Sequence, residues 1–127
     1  MICGIGIDLV EIPRLAALLQ RWPQRFPHKV FTREEIAYCE GRGRRAASYA
    51  ARFAAKEAFA KALGTGWSEH FLWKEFAVCN DADGRPRAVL SPRLQTRLQD
   101  ITVHVSLSHA DYFATAVVIL EKPDRLA

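Results

Sequence analysis

The chain contains 127 residues, a length that fits one domain with a modest hydrophobic core. Half of its residues are hydrophobic and a quarter are charged, a balance that excludes disordered and fibrous proteins. The formal net charge of +4 and the isoelectric point near 9.2 favour an acidic partner or a polyphosphate ligand, without distinguishing between the two.

The cysteine pattern and the hydropathy limit the class of protein further. Cys3, Cys39 and Cys79 lack the C-x-x-C spacing of zinc and redox motifs, so we expect reduced, partly buried thiols. No signal-peptide pattern precedes the first apolar run, and no apolar stretch reaches membrane-spanning length. We therefore expect a cytoplasmic protein with no membrane partner.

The first element predicted is a β-strand over residues 2–10, an apolar run with a single charge. Gly4 and Gly6 permit close approach of another backbone, or a bulge. The charge is Asp8, and an acid in such a setting is costly unless it is paired or binds a cation. The alternative is that Asp8 caps the following helix, whose first turn contains Pro13.

Three helices are predicted next, from apolar periodicity and end signals. Thr32 and Glu35 form a capping box at the start of the second helix, and Gly64 is the expected stop of the third. The expected bounds are residues 11–21, 32–40 and 46–63, separated by a segment with two prolines at 22–27 and a basic loop at 41–45.

Strands dominate the second half. Ser91 and Pro92 predict the start of a short helix that ends near residue 99. Around it we expect two hairpins, with strands at residues 71–80 and 86–90 and at residues 101–108 and 112–121. Helices early and strands late indicate an α+β fold, a mostly antiparallel sheet packed against a long central helix. We expect one domain over residues 1–127, with a loose tail after residue 121.

The long helix has two different faces. Glu57 and Lys61 lie one turn apart on its polar side, and small residues on the other side let the helix approach a sheet closely. A carboxylate and cations at this spacing suit a metal-bound phosphate, whereas the alternative is an ordinary solvated surface pair. The small residues are Ala51, Ala55, Ala58 and Ala62, flanked by Ala54 and Phe59.

Asp8 and Glu57 together predict a metal site. Two carboxylates with water and phosphate oxygens suit Mg²⁺, which takes few protein ligands and prefers substrate phosphates. We therefore expect Asp8 and Glu57 to converge on one Mg²⁺ ion.

Two further features have both a functional and a structural interpretation. His109 shares a polar strand end with Ser106 and Ser108, where a phosphate is a suitable ligand, although a histidine in a turn is common. Gly64-Thr65-Gly66 resembles a phosphate loop weakly, because it follows a helix where the usual phosphate loops precede one. The alternative is a structural role as a helix C-cap.

Three blocks of sequence carry a family resemblance. They are GIGIDLVEIPRL at residues 4–15, RFAAKEAFAKALGTG at residues 52–66 and HVSLSHADYFATAVVI at residues 104–119. In order, spacing and total length they resemble the holo-[acyl-carrier-protein] synthase family of 4′-phosphopantetheinyl transferases. The resemblance implies transfer of phosphopantetheine from coenzyme A to a serine hydroxyl of acyl carrier protein, with release of adenosine 3′,5′-bisphosphate.

The resemblance also implies roles for individual residues. Asp8 and Glu57 would hold Mg²⁺ against the pyrophosphate, and Lys61 would contact the phosphates and protonate or neutralise the leaving group. Residues implied near coenzyme A are Arg52, Lys56, Lys61, Gly64, Thr65, Gly66 and His109, and those facing the acidic carrier protein are Arg14, Arg21 and Arg25. A homotrimer with sites in the clefts between subunits is implied as well. The general base stays open between Glu57 and a metal-bound water.

Two other functions compete with this interpretation. A Mg²⁺-dependent hydrolase would split a nucleotide pyrophosphate with water and use the same Asp8 and Glu57. A basic module would bind nucleic acid through the arginines of the 41–45 loop, which lack an adjacent aromatic stacking platform. We therefore expect no nucleic-acid partner.

Overall fold

The structure is a computed structural model that describes residues 1–64 and 73–124. Within these ranges, strand β1 comes first, four helices follow it, and the second half consists mostly of strands. The elements are β1 (Ile2–Glu11), α1 (Ile12–Arg21), α2 (Arg25–Val30), α3 (Arg33–Glu40), α4 (Arg45–Leu63), β2 (Phe76–Asn80), β3 (Pro86–Leu90), α5 (Pro92–Arg97), β4 (Thr102–His109) and β5 (Phe113–Glu121).

The strands form two antiparallel groups. A three-stranded sheet has the order β1-β5-β4, and β2 and β3 form a separate hairpin. In the sheet, Asp8 lies opposite Ala116, and His109 lies opposite Ala114 on the other side of β5. The predicted α+β fold, with an antiparallel sheet against a long helix, is confirmed.

Contact between β1 and α4 is close because both elements present small residues to each other. A Cβ atom added to Gly6 would lie 1.9 Å from the carbonyl oxygen of Ala58 and 2.8 Å from the amide nitrogen of Ala62. A Cβ atom on Gly4 would lie 2.4 Å from the carbonyl oxygen of Ala62. Ala58 is completely buried. The glycines and the alanine face therefore bring the two backbones together, as the sequence predicts.

Helix α4 has 19 residues and ends where expected. Gly64 follows it with φ of 80°, in the left-handed region that favours glycine at a helix C-terminus. At the start of α3, the predicted capping box is present, since Thr32 and Glu35 exchange hydrogen bonds between side chain and backbone. No helix in the described ranges is both long enough and apolar enough to cross a bilayer.

The structure differs from the predicted elements at two places. The proline-containing segment was expected to interrupt the helices, but it leads into a short helix, α2. Pro27 is tolerated in this helix because it lies in the first turn, where an amide hydrogen has no partner within the helix. Residues Trp73–Glu75 form a 3-10 turn where a strand was predicted. There the ring of Trp73 stacks on that of Phe53 with centroids 5.2 Å apart, a tertiary contact that alternation of residue types does not reveal.

Gly6→Ala tests the close packing of β1 on α4. The new methyl group would overlap the carbonyl of Ala58, so the backbones must separate, and we expect a loss of at least about 2 kcal/mol in the free energy of unfolding. Chemical denaturation followed by circular dichroism measures this loss. Gly43→Ala is the matched control, since no described atom lies within 4 Å of its added Cβ. Equal stability of the two variants would contradict the packing argument.

Candidate active site

Asp8 reaches helix α4 from the inner face of β1. Its side chain is 19% exposed, and the ammonium group of Lys61 donates to its Oδ1 at 3.1 Å and to the carbonyl oxygen of Ile7 at 2.9 Å. The hydroxyl of Thr115 on β5 donates to the backbone carbonyl of Asp8 at 2.8 Å. Glu57 is half-buried and lies one helical turn before Lys61. The structure thus brings Asp8 to the polar side of α4 on which Glu57 and Lys61 lie.

A cavity of about 190 Å³ lies between α4, the end of β4 and the hairpin of β2 and β3. Arg52 and His109, both implied by the family resemblance to lie near coenzyme A, line it together. Its full lining is Tyr38, Ser48, Ala51, Arg52, Asn80, Gly84, Pro86, Leu107 and His109.

Arg52 is a buried cation at the wall of this cavity. It is 3% exposed, and its guanidinium group lies 4.1 Å from the ring centroid of Tyr38. One terminal nitrogen donates to Oδ1 of Asn80. Its Nε atom finds no hydrogen-bond partner within residues 1–64 and 73–124. A buried donor without a partner is rare in proteins and suits an acceptor supplied by a ligand.

Arg44 holds His109 and the turn that follows it. Its Nη1 lies 3.2 Å from Nδ1 of His109, and its Nη2 donates to the carbonyl oxygen of Ala110 at 3.1 Å. The sequence indicated only that Arg44 belongs to a basic loop. The contact joins positions 65 residues apart, so no pattern in the local sequence predicts it.

The other arginines of that loop have separate protein contacts. Arg45 donates to the carboxylate of Glu40 at 2.7 Å, and the guanidinium of Arg42 lies 5.1 Å from the ring centroid of Tyr38. The arginines of this loop therefore contact different groups of the protein.

Lys56 lies in the core of the protein. The expectation was a contact with coenzyme A, but its side chain is completely buried and lies 2.9 Å from Oε1 of Glu35. Its ammonium group also donates to the carbonyl oxygens of Trp73 at 3.0 Å and Phe76 at 2.5 Å. Burial lowers the pKa of Lys56 from its ordinary value, and the Glu35 carboxylate opposes that shift. Lys56 thus contacts protein groups, because α4 turns this side chain toward the core.

Glu35, like Arg44, is a functional candidate that sequence reasoning missed. It was interpreted only as the acid of a capping box, whereas its side chain is 1% exposed and binds groups far along the chain. Its partners Lys56 and Val78 lie far along the chain, so the local sequence does not indicate the burial of Glu35.

The three arginines expected to face a carrier protein are all exposed, on α1 and at the start of α2. Arg21 and Arg25 lie near Trp22, with guanidinium carbons 5.2 and 5.7 Å from its ring centroid. Trp22, Arg25, Phe26 and Lys29 line a second cavity of about 300 Å³. Arg14 lies on α1, within the same basic region of sequence.

The predicted glycine loop is described only at its first residue. Gly64 caps α4, while Thr65 and Gly66 lie outside the described residues.

The cysteines are free thiols, as expected. Cys39 is completely buried, and burial raises the pKa of its thiol to about 12. A thiol with such a pKa is protonated at neutral pH and is a poor nucleophile.

Known proteins with similar sequences cover almost the whole chain. A family model of the 4′-phosphopantetheinyl transferase superfamily matches residues 4–118. A holo-[acyl-carrier-protein] synthase from Protochlamydia amoebophila (strain UWE25) is 42% identical over 119 residues, which cover 94% of this chain and 98% of the relative. One from Rhizobium meliloti (strain 1021) is 44% identical over 128 aligned positions, covering 95% of this chain and 92% of the relative.

Solved structures agree with the sequence comparisons. A holo-[acyl-carrier-protein] synthase from Neisseria meningitidis superposes with a TM-score of 0.88 at 37% identity, covering 96% of this chain and 100% of the other. One from Bacillus anthracis str. Ames, in complex with CoA (3′,5′-ADP), has a TM-score of 0.83 at 36% identity, covering 97% of this chain and 99% of the other. The chain therefore belongs to the holo-[acyl-carrier-protein] synthase family of the 4′-phosphopantetheinyl transferase superfamily, a family of enzymes.

Proposed function

We propose that this protein transfers the 4′-phosphopantetheine group of coenzyme A to a serine hydroxyl of an apo acyl carrier protein. The products are the holo carrier protein and adenosine 3′,5′-bisphosphate, and the reaction depends on Mg²⁺. The observation that carries the proposal is the contact between Lys61 and Asp8, which joins the polar side of α4 to the acid of β1. Similarity to a synthase solved in complex with CoA (3′,5′-ADP) supports the choice of donor.

The cavity lined by Arg52 and His109 is the proposed site of the nucleotide end of coenzyme A. With a volume of about 190 Å³, it has room for part of the coenzyme, and the remainder would extend toward Lys61. Arg52 supplies a buried positive charge and an unused Nε donor, and Arg44 supplies a second cation beside His109. Cations with several donors suit the phosphate groups of a nucleotide.

Asp8 and Glu57 are the proposed Mg²⁺ ligands. The residues present fit this ion, since the contact between Asp8 and Lys61 places Asp8 on the polar side of α4 that also carries Glu57, and Mg²⁺ binds through one or two carboxylates plus substrate phosphates. When bound, the ion supplies positive charge to the diphosphate of the coenzyme.

Lys61 holds the Asp8 carboxylate and extends into solvent, where it is 56% exposed. In the proposed reaction the serine hydroxyl of the carrier gives its proton to a base, either Glu57 or a water, as its oxygen bonds to the β-phosphorus of coenzyme A, and the bond from that phosphorus to the bridging oxygen breaks. Negative charge grows on the departing bisphosphate, and the ammonium of Lys61 neutralises it. The nucleophile in the proposed reaction belongs to the partner.

Incubation with coenzyme A, Mg²⁺ and an apo carrier protein tests this function. Mass spectrometry of the carrier should show the gain of one phosphopantetheine group. Asp8→Ala and Glu57→Ala should each reduce the transfer rate by at least about a hundredfold at ordinary Mg²⁺ concentration, because the diphosphate loses its neutralising charge. Asp124→Ala removes an exposed carboxylate beside the N-terminus and is the matched control.

Two results would contradict this assignment. Full turnover in either acid variant would remove the metal role. Release of adenosine 3′,5′-bisphosphate in the absence of the carrier would identify a hydrolase that uses the same acids.

The surface around α1 is the proposed docking site of the carrier. Arg14, Arg21 and Arg25 are exposed, and Trp22 between them is 41% exposed, so cations surround an apolar contact. Acidic partners are attracted to such a surface, and the attraction weakens with salt.

Arg14→Glu tests the docking surface. Charge reversal should raise the KM for the carrier protein by about tenfold at low salt while the KM for coenzyme A changes little, because the coenzyme cavity contains other residues. Steady-state kinetics at several salt concentrations measure both constants. Lys122→Glu makes the same charge change beyond the end of β5 and is the control. An equal rise of both constants, or of neither, would remove the docking role.

We further propose that the protein is a homotrimer, as the family resemblance implies. The outer face of β1 exposes an apolar row, with Ile5 65%, Ile7 64% and Leu9 64% exposed, and a second copy would cover it. Sedimentation should give three times the chain mass of 14.3 kDa, and Ile7→Asp should give the chain mass alone. A monomeric wild-type protein at micromolar concentration would contradict the assembly.

A further inference from the structure

Two buried cations on α4 form hydrogen bonds to the same strand, β2. Arg52 and Lys56 lie one helical turn apart and are 3% and 0% exposed. Lys56 donates to the carbonyl oxygen of Phe76 at 2.5 Å, at the first residue of β2. Arg52 donates to the side chain of Asn80, the last residue of β2. The two side chains thus attach both ends of one strand to α4.

Glu35 completes this attachment in the middle of the strand. Its Oε2 accepts a hydrogen bond from the amide of Val78 at 3.0 Å, while its Oε1 accepts from the amide of Thr32 at 3.0 Å and lies 2.9 Å from the ammonium of Lys56. Strand β2 pairs with β3 alone among the described strands, so Glu35 and Lys56 occupy backbone groups that a neighbouring strand would otherwise bind.

The buried charges have the partners that burial requires. Lys56 carries three ammonium protons, and acceptors for them are Glu35 and the carbonyl oxygens of Trp73 and Phe76. Removal of one member of a buried pair leaves the other charge without compensation, which is far more costly than replacing both. The pair is therefore a rigid link between α3, α4 and β2.

The far end of the strand forms part of the cavity wall. Asn80 lines the cavity with Arg52, and its Nδ2 donates to the carbonyl oxygen of Gly84 at 3.0 Å, in the turn of the hairpin. Gly84 and Pro86 line the cavity as well. The position of β2 along α4 therefore determines how far this wall stands from Arg52 and His109.

We propose that Glu35 and Lys56 are positioning residues for coenzyme A, which set the β2–β3 hairpin against α4 and thereby shape the coenzyme cavity without touching the ligand. This inference rests on the proposed function, because it takes the cavity as the coenzyme site. It assigns a role to a buried ion pair in a different part of the fold from Asp8.

The test measures coenzyme binding and catalysis separately in Glu35→Gln, Glu35→Asp and the double variant Glu35→Gln/Lys56→Met. Each should raise the KM and the Kd for coenzyme A, by about tenfold to a hundredfold in Glu35→Gln and in the double variant and less in Glu35→Asp. We expect kcat and the KM for the carrier to change by less than about threefold, since the residues proposed for chemistry and docking are untouched. In Glu35→Asp, whose carboxylate is one methylene shorter, hydrogen exchange at the amide of Val78 should accelerate, which reports the loss of its bond to this side chain.

Stability is separated from positioning by two comparisons. The double variant should be more stable than Glu35→Gln, because no uncompensated charge is buried, yet should bind coenzyme A as weakly. Leu120→Ala is the matched control, since this residue is 3% exposed, and it lies on β5 opposite Val103, near the other end of β4 from His109. It should lower the melting temperature without changing the Kd for coenzyme A.

Each outcome decides the inference. Unchanged coenzyme affinity in the double variant, or in Glu35→Asp if the others fail to fold, would overturn it, as would an equal loss of affinity in Leu120→Ala. A wild-type protein that binds no coenzyme A would instead overturn the proposed function, so the two failures are distinguishable.

Discussion

Backbone contact between Gly6 of β1 and Ala58 of α4 sets the geometry from which the site is built. A Cβ at Gly6 would lie 1.9 Å from the Ala58 carbonyl oxygen, so a larger residue does not fit there unless the two backbones separate. At this separation the side chain of Lys61 spans from the helix to Asp8 at 3.1 Å. A wider gap would move the acid of β1 away from the polar side of α4, and with it the proposed metal site.

Helix α4 presents charged side chains in two directions that serve different purposes. Arg52 and Lys56 point toward β2 and are buried, whereas Lys61 is 56% exposed and contacts β1. Buried charges are costly unless they are paired and hydrogen-bonded, which explains why Lys56 requires Glu35. One helix therefore holds both the sheet with Asp8 and the hairpin that lines the cavity.

Much of the fold was predictable because its determinants are local. Apolar alternation, the capping box of Thr32 and Glu35, and the left-handed Gly64 each act within a few residues. The strand predicted at Trp73–Glu75 was wrong. Trp73 there makes two tertiary contacts, a ring stack on Phe53 and a hydrogen bond from the ammonium of Lys56 to its carbonyl oxygen, and neither is visible in the local sequence. The prediction also missed α2, because a proline in the first turn of a helix has the same sequence signal as a proline that ends one.

For the site, the sequence by itself determined which chemical groups are available and to which family the chain belongs. Asp8, Glu57 and Lys61 stand in characteristic blocks, and periodicity places Glu57 and Lys61 on one side of a helix. Only the tertiary structure decided that Lys56 is turned inward to Glu35 and that Arg44 reaches His109 across 65 positions. Burial and pairing depend on which elements pack together, and a charged residue has the same local pattern whether its partner is a ligand, water or a distant side chain.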